Sequence, residues 1–163
     1  MSFKFREYRD EDSPRLVEIF NYYIENSYAA YREQKIDGSF IEILRNISRG
    51  YPFYIVEDDS DGVVGFGMIH PYHPSEVFKR TAELSYFFDR DHTRKGIGFE
   101  LLDKLTADAR AMGVDSLVAS ISSRNEESLN FHLKNGFVEC GRFKRIGRKW
   151  DRDFDVVWMQ KFI

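Results

Sequence analysis

The stretch Glu83-Leu-Ser-Tyr-Phe-Phe-Asp-Arg-Asp-His-Thr-Arg-Lys-Gly-Ile-Gly-Phe-Glu-Leu-Leu102 decides the fold. It predicts a strand, a tight turn and a helix in immediate succession. Residues 84–88 are apolar or aromatic enough for a strand, and Gly96 and Gly98 bracket the turn. From Phe99 onward, apolar residues recur at the spacing of one helical face. The rest of the chain is organised around this strand–turn–helix unit.

The glycine turn of this unit is suited to binding an anion. A turn that opens a helix leaves backbone N–H groups without partners, beside the positive end of the helix dipole. Arg94 and Lys95 add positive side chains at the same place. We therefore expect the turn to hold the phosphates of a coenzyme, and Glu83, at the other end of the strand, to face the chemistry.

Composition limits the class of protein. The chain has 163 residues, of which 42% are hydrophobic, so we expect one domain over residues 1–163 with a substantial core. A net charge of −3 argues against nucleic acid or an anionic membrane as the main partner. One cysteine, no apolar signal segment and no membrane-spanning run favour a cytoplasmic setting.

Hydrophobic periodicity and turn residues predict a mixed α/β domain with the order β-α-α-β-β-β-α-β-α-β-β. The predicted strands are 3–8, 52–57, 63–69, 82–88, 117–122, 138–144 and 155–161; the predicted helices are 14–25, 40–48, 97–111 and 125–134; the longer predicted loops are 26–37, 70–80 and 146–153. The strand–helix–strand centre predicts parallel pairing, and the hairpins predict antiparallel flanks.

Two common phosphate-binding motifs do not fit the glycine turn. The Walker A pattern is absent from the sequence, and the dinucleotide fingerprint would need a third glycine where Leu101 stands. The remaining pattern is Arg94-Lys95-Gly96-Ile97-Gly98 after a strand. It resembles the acyl-CoA pyrophosphate loop of the GNAT N-acetyltransferase superfamily, whose usual form is Gln/Arg-x-x-Gly-x-Gly/Ala. The predicted order of elements is also the order of that superfamily.

Further segments resemble the phosphinothricin/methionine sulfone acetyltransferase branch of the superfamily. They are Gly65 through Glu83, His92 to Gly98, Asn125-x-x-Ser128 with Gly136-Phe137, Gly147 to Trp150, and Asp155 to Trp158. The resemblance covers nearly the whole chain. One departure is Thr93, which stands where the loop usually carries Gln or Arg.

The resemblance implies a fold and a co-substrate. The implied fold is a central mixed seven-stranded sheet, splayed at its central strands and flanked by about four helices. Acetyl-CoA is the implied co-substrate, without a metal, and relatives of the branch pair as homodimers. The implied coenzyme-binding residues are Tyr86, Phe87, Phe88, Arg94, Lys95, Gly96, Ile97, Gly98, Phe99, Asn125 and Ser128. Strand residues would contribute backbone groups, and Asn125 could also cap its helix.

Acetyl transfer to an amine requires a group that takes the proton of the amine, a donor for the oxyanion and an exit for the thiolate. Glu83 is the predicted base, and a solvated strand-end carboxylate is the alternative. The resemblance implies that His132 is the acid for the leaving thiolate, and a packing role is the alternative for a histidine on a partly apolar helix face.

The resemblance also implies substrate contacts at Tyr31, Phe78, Lys79 and Glu83. A cation such as Lys79 could bind the carboxylate of an amino-acid substrate, whereas the alternative is a solvated charged loop. His70 and His73 are interpreted as loop histidines without a role, because a metal site would need more ligands nearby.

The leading hypothesis is an acetyl-CoA-dependent N-acetyltransferase acting on the amine of a small amino-acid-like substrate, of the phosphinothricin, methionine sulfone or methionine sulfoximine type. Acetylation of a protein N-terminus or a polyamine remains open. So does a different class, an acyl-CoA-binding module without turnover.

Overall fold

A computed structural model describes residues 2–163, which form one seven-stranded sheet in the order β1-β2-β3-β4-β5-β7-β6. The strands are β1 Phe3–Glu7, β2 Phe53–Asp58, β3 Gly62–Pro71, β4 Thr81–Phe88, β5 Ser116–Ser122, β6 Val138–Lys149 and β7 Arg152–Phe162. The α-helices are α1 Ser13–Asn26, α2 Gly38–Ile47, α3 Ile97–Ala111 and α4 Glu126–Lys134. The predicted order of strands and helices is confirmed.

The sheet opens between its two central strands, as the resemblance implied. Strand β4 pairs with β3 from Ala82 to Phe88, but its parallel pairing with β5 covers only Thr81–Glu83. Beyond Glu83 the two strands have no paired residues. Since each strand edge carries backbone N–H and C=O groups, β4 presents unpaired groups along this opening.

Two apolar clusters cover the two faces of the sheet. One cluster contains buried side chains of α3, including Leu101 and Leu105, and the other contains buried side chains of α1, including Leu16 and Phe20. Strand β4 contributes to both, because its side chains alternate between the faces. Leu84 belongs to the α3 side and Phe87 to the α1 side. This alternation places neighbouring residues of β4 on opposite walls of the opening.

The predicted loop 146–153 is wrong. Strands β6 and β7 continue through it, so only Trp150 and Asp151 remain as the turn. Both have positive φ angles, 51° and 58°, as the two central residues of a type I′ turn require. The sequence did not indicate this turn, because type I′ turns favour Asn or Gly and these positions hold Trp and Asp. A second irregularity, between Phe143 and Gly147, accommodates extra residues of β6 as a bulge.

The interpretation of His70 as a loop residue is also wrong. Strand β3 continues to Pro71, and the antiparallel register places His70 directly opposite Glu83 of β4. The loop that follows is shorter than predicted and contains a single 3-10 turn, Glu76–Phe78. Among the helices of residues 2–163, none has the length and apolar character needed to cross a membrane.

Candidate active site

A cleft of about 1230 Å³ follows the opening between β4 and β5. Its walls come from β4, β5, α1 and α2 with the loop between them, the first turn of α3, and α4. It gathers most of the residues singled out from the sequence: Tyr31, Glu83, Tyr86, Phe87, Phe88, Arg94, Gly96, Ile97, Gly98, Phe99, Asn125, Ser128 and His132. Lys95, Phe78 and Lys79 do not line it.

The glycine turn leads directly into α3. Gly96 is the N-cap, with a left-handed φ of 85°, and its carbonyl accepts the first helical hydrogen bond from the N–H of Glu100 at 3.2 Å. The N–H groups of the first helical turn are therefore left for a ligand. Arg94 also has a positive φ, 62°. The Thr93 hydroxyl donates to the carbonyl of Arg90 at 2.9 Å, so its proton is already used in a hydrogen bond to the preceding turn.

A second helix begins at the same cleft. Asn125 is the N-cap of α4, where its side chain accepts a hydrogen bond from the N–H of Ser128 at 3.2 Å. The Asn125 side-chain NH₂ remains a potential donor. Two helix N-termini therefore line one cleft, beside the unpaired edge of β4. Backbone donors of this kind suit a pyrophosphate, and an open strand edge suits an extended amide-containing arm, so these residues fit acetyl-CoA.

Glu83 lies in the cleft where the pairing of β4 with β5 ends. Its side chain is 21% exposed, and its Oε1 lies 3.5 Å from the hydroxyl of Ser120 on β5. On the other side, the Nε2 atom of His70 lies 3.9 Å from Oε2. Burial raises the pKa of Glu83, whereas His70 and Ser120 act to lower it. A carboxylate with a raised pKa is better suited to accept a proton near neutral pH.

Tyr31 belongs to the same surroundings as Glu83. Burial raises the pKa of Tyr31, a hydrogen bond with Ser120 acts to lower it, and the charge of Glu83 raises it further. The Tyr31 ring stacks on Phe154 of β7 with 5.7 Å between ring centroids. The loop between α1 and α2 therefore brings an aromatic side chain near the carboxylate, and the substrate role of Tyr31 stays a prediction.

Both ring nitrogens of His132 are engaged. The Nδ1 atom lies 2.7 Å from the carbonyl oxygen of Ser128, so it carries the proton and donates it. The Nε2 atom lies 2.5 Å from the Tyr86 hydroxyl and accepts from it. Burial lowers the pKa of His132, and the side chain of the residue is almost fully enclosed. A neutral imidazole with this tautomer has no proton on Nε2 to give to a thiolate.

The loop between α1 and α2 is held by the β6–β7 hairpin. The ammonium of Lys149 donates to the carbonyls of Ser27 and Ala30, at 2.7 and 2.9 Å. The next residue, Trp150, donates its N–H to the carboxylate of Glu33 at 2.6 Å. Lys149 is only 2% exposed. The hairpin thus fixes the wall that carries Tyr31.

Two predicted substrate contacts lie outside the cleft. Phe78 is 41% exposed, and its ring faces His73 and Tyr72, with centroid separations of 4.8 and 5.9 Å. Lys79 follows it and is exposed. Three residues that sequence reasoning did not single out support this site. Ser120 lines the cleft, His70 lies beside Glu83, and Lys149 holds the loop that carries Tyr31. The alternation of β3 and β4 is the one sequence signal that could have paired His70 with Glu83.

A separate group of potential metal ligands lies at the β2–β3 turn. Asp58, Asp61 and His92 place their ligand atoms within 4.8 Å of one another, and residues 2–163 contain no other such group of three. Protein hydrogen bonds account for this geometry: His92 Nε2 lies 2.9 Å from Asp61, and Asp58 accepts from the N–H of Ser60. These side chains do not line the cleft.

Comparisons with known proteins identify the family of the chain. A profile of the Acetyltransferase (GNAT) family matches residues 8–137. The chain is 31% identical over 162 residues to the L-methionine sulfoximine/L-methionine sulfone acetyltransferase of Pseudomonas paraeruginosa, covering 98% of this chain and 94% of that one.

Solved structures extend the similarity to three dimensions. A crystal structure of ribosomal-protein-alanine N-acetyltransferase from Brucella melitensis superposes with a TM-score of 0.89 at 34% identity, covering 98% of this chain and 99% of that one. The GNAT superfamily phosphinothricin acetyltransferase from Sinorhizobium meliloti, in complex with AcCoA, superposes with a TM-score of 0.92 at 25% identity, covering 100% and 89%. The splayed sheet, the glycine turn at α3 and these similarities place the chain in the acetyltransferase (GNAT) family.

Proposed function

We propose that this chain is an acetyl-CoA-dependent N-acetyltransferase that acetylates the amine of a small amino-acid-like substrate of the methionine sulfone, methionine sulfoximine or phosphinothricin type. One observation carries the proposal: the half-buried carboxylate of Glu83 lies at the end of the open β4 edge, inside the cleft that begins at two helix N-termini. The Pseudomonas relative supports the substrate class.

The proposed reaction is direct transfer. Acetyl-CoA supplies an acyl carbon activated as a thioester. Glu83 accepts a proton from the substrate ammonium, which frees the nitrogen lone pair to form the new N–C bond. Unpaired N–H groups of β4 next to Glu83 are the candidate donors for the oxyanion. The C–S bond then breaks. Of the two protons left on the nitrogen, one stays in the amide, and the other leaves and neutralises the departing thiolate. No covalent intermediate on the protein is needed.

We infer a positioning role for His132 in place of the predicted acid role. Its neutral ring receives the Tyr86 hydroxyl and donates to Ser128, so it fixes the side chain of a β4 residue at the wall of the cleft. Burial also raises the pKa of Tyr86. Neither group is set to release a proton at neutral pH. A thiolate is a stable leaving group near that pH and does not require one.

The acceptor side of the cleft supports a substrate with one apolar part and one anionic part. Phe20 and Phe40 line it, with ring centroids 5.1 Å apart. Arg32 lines the same wall, with its guanidinium 5.0 Å from the Phe40 ring centroid. We propose that Arg32, in place of Lys79, binds the substrate carboxylate, because a guanidinium pairs with a carboxylate in a bidentate manner.

One observation favours a second function. The Brucella structure, at 34% identity, carries the name of an enzyme that acetylates the alanine of a ribosomal protein. Acetylation of a protein N-terminus is therefore the main alternative. It requires the same base and the same coenzyme site, but it requires room for a peptide beyond the first residue. The polyamine and non-catalytic hypotheses have no comparable support.

Release of the free thiol from acetyl-CoA tests the proposal. The acceptors are methionine sulfone, methionine sulfoximine, phosphinothricin, spermidine and short peptides beginning with alanine, each compared by kcat/KM. Turnover of the amino-acid analogues with little turnover of peptides is expected. A preference for peptides would establish the alternative, and coenzyme binding without thiol release for any acceptor would indicate a non-catalytic module.

We further propose that the whole chain acts as one domain, in a homodimer, in the cytoplasm, without nucleic acid or membrane as partner. Exposed apolar side chains support the dimer: Val138, Phe143 and Ile146 lie on β6, an edge strand of the sheet. Cys140 is free and exposed, which suits a reducing compartment. Light scattering of the purified protein tests the dimer.

A further inference from the structure

We propose that His70 forms a dyad with Glu83 and receives the proton that Glu83 takes from the substrate amine. The proposal deepens the proposed function and rests on it. Three observations carry it: the cross-strand register of the two residues, the approach of His70 Nε2 to Glu83, and the hydrogen bond that fixes the His70 ring.

The register makes the contact a property of the sheet. His70 and Glu83 are direct partners of the β3–β4 pair, so their side chains leave the same face of adjacent strands. Both are mostly enclosed, with side-chain exposures of 16% and 21%. The two strands keep one unbroken register from Gly65 to Pro71. A backbone shift that separates the pair would therefore have to disturb the centre of the sheet.

The orientation of the ring decides which nitrogen can act. The His70 Nδ1 atom lies 2.9 Å from the carbonyl oxygen of Pro71, and a carbonyl can only accept. Nδ1 therefore carries a proton in either charge state, and Nε2 is the atom that gains or loses one. That atom lies 3.9 Å from Glu83 Oε2. A shift of about 1 Å brings the pair into hydrogen-bond range, and catalytic contacts commonly tighten when substrates bind.

The neighbours of Glu83 favour a shared proton. When His70 is neutral, its Nε2 lone pair faces a carboxylate, so two acceptors oppose each other. One added proton between them turns this into an attractive contact. The other polar groups beside the carboxylate are the hydroxyl of Ser120 on β5 and the phenol of Tyr31 on the α1–α2 loop. Neither hydroxyl is basic enough to take a proton from a carboxylic acid, whereas an imidazole nitrogen with a free lone pair is, so His70 Nε2 is the local acceptor.

The proton count agrees with this role. The ammonium of the acceptor loses one proton before the attack, and this proton passes through Glu83 to His70 Nε2. The carboxylate is regenerated beside an imidazolium. The second proton leaves as the amide forms and balances the thiolate. Overall the reaction releases one proton, which is the proton that the dyad stores and returns to solvent after the products leave.

The test is the pH dependence of kcat/KM for His70→Asn, beside His73→Asn as the matched control. Asparagine keeps a donor for the Pro71 carbonyl but has no group at the position of Nε2. His73 is exposed, and its ring packs against Phe78 in a tilted arrangement. In His70→Asn we expect the plateau value of kcat/KM to fall by at least about tenfold. A positioned acid–base group raises the rate by roughly 10²- to 10⁴-fold, and Glu83 still supplies part of this effect in the variant.

The direction of the pH shift separates the dyad from simpler roles. If the active form requires the proton-free dyad, His70→Asn moves the acidic limb to lower pH, because only the carboxylate then titrates. An acidic limb of the pH profile at the same position as in the wild type overturns the proposal. So does an acidic limb at higher pH, which is expected if His70 acts only as a cation that keeps Glu83 ionised. His73→Asn must leave both the limb and the plateau unchanged.

A second measurement does not depend on turnover. The chain has four histidines, so ¹⁵N-labelled imidazoles can be assigned by single substitutions. The Nε2 shift of His70 should follow two coupled titrations in the wild type and one in Glu83→Gln. Identical curves in both proteins refute the dyad even if no acceptor is found. Turnover with an unchanged pH profile refutes the dyad while leaving the proposed function intact.

Discussion

Replacing Lys149 by methionine should loosen the wall of the cleft that carries Tyr31, called here the acceptor wall, and leave the glycine turn at α3 unchanged. Methionine keeps most of the length and apolar surface of lysine but removes the ammonium. Two carbonyls, of Ser27 and Ala30, then lose their donor. The ammonium also lies 4.4 Å from the centroid of the Trp150 ring, and this cation–π contact is lost in the variant. Trp150 and the next residue, Asp151, have left-handed φ angles, which cost free energy in residues other than glycine.

The magnitude follows from these contacts. Hydrogen bonds from a charged group contribute about 1.5–3 kcal/mol each. Burying the ammonium offsets part of this, and burial lowers the pKa of Lys149 accordingly. We therefore expect a net loss of about 2–4 kcal/mol in the free energy of unfolding. In a chain of this size each kcal/mol corresponds to about 2–4 °C, so Tm should fall by about 5–15 °C.

The assay combines calorimetry with two Michaelis constants. Because Lys149 holds the loop that carries Tyr31, the KM for the acceptor should rise about tenfold, as expected for about 1.4 kcal/mol of lost loop order. The KM for acetyl-CoA should stay within about twofold. Lys144→Met, on an exposed side chain of the same strand, is the control. A Tm unchanged by Lys149→Met, or equal changes in both KM values, would refute this explanation.

Three further substitutions test other parts of the structure. Glu83→Gln should lower kcat/KM by roughly 10²- to 10⁴-fold. Because the pKa of Glu83 is raised in the folded state, its ionisation costs stability at neutral pH. The Tm of Glu83→Gln should therefore equal or exceed that of the wild type at pH 7.5, and any excess should vanish as the pH falls to about 4.5. A Tm below that of the wild type at pH 7.5 would contradict the raised pKa. Gly96→Ala should raise the KM for acetyl-CoA and cost about 1–2 kcal/mol, because the added Cβ meets nothing within 4 Å and only the left-handed φ is penalised; Gly113→Ala, with a φ of 83° and equally open space, should cost the same stability without changing that KM. Asp12→Asn should lower Tm at pH 7, because the buried carboxylate accepts hydrogen bonds from the Arg6 guanidinium and the Arg9 N–H, both at 2.7 Å. Burial raises the pKa of Asp12, but these two hydrogen bonds hold that pKa below its usual value of 3.8. The carboxylate therefore contributes stability above pH 3.8, and the Tm difference between wild type and variant should close as the pH falls below that value.

Sequence reasoning predicted those parts of the fold that depend on local sequence patterns. Gly96 marks a left-handed turn, and the helical spacing after Phe99 marks α3, so the glycine turn and the helix that follows it can be predicted from local patterns. The position of Glu83 at the far end of the strand follows from the length of that strand. Each of these signals lies within about twenty residues and needs no knowledge of the tertiary structure.

The acceptor wall depends on contacts between distant segments, which one sequence does not reveal. Lys149 meets Ala30 across 119 positions, and nothing around either residue indicates the pairing. The same contacts support the turn at Trp150, whose left-handed conformation no local residue preference would predict. Phe78 and Lys79 were placed by family resemblance alone, and resemblance is weakest in loops, where pocket shape is decided.

The splayed centre of the sheet also has a consequence for the exchange of backbone amide hydrogens with solvent. Successive N–H groups of β4 point to opposite edges: towards β3, where they are paired, or towards the side that β5 has left beyond Glu83. Residues 84–88 should therefore alternate between slow and fast exchange in the free protein. A single strand in the middle of a sheet would then report ligand binding at every second amide, without any label on the ligand.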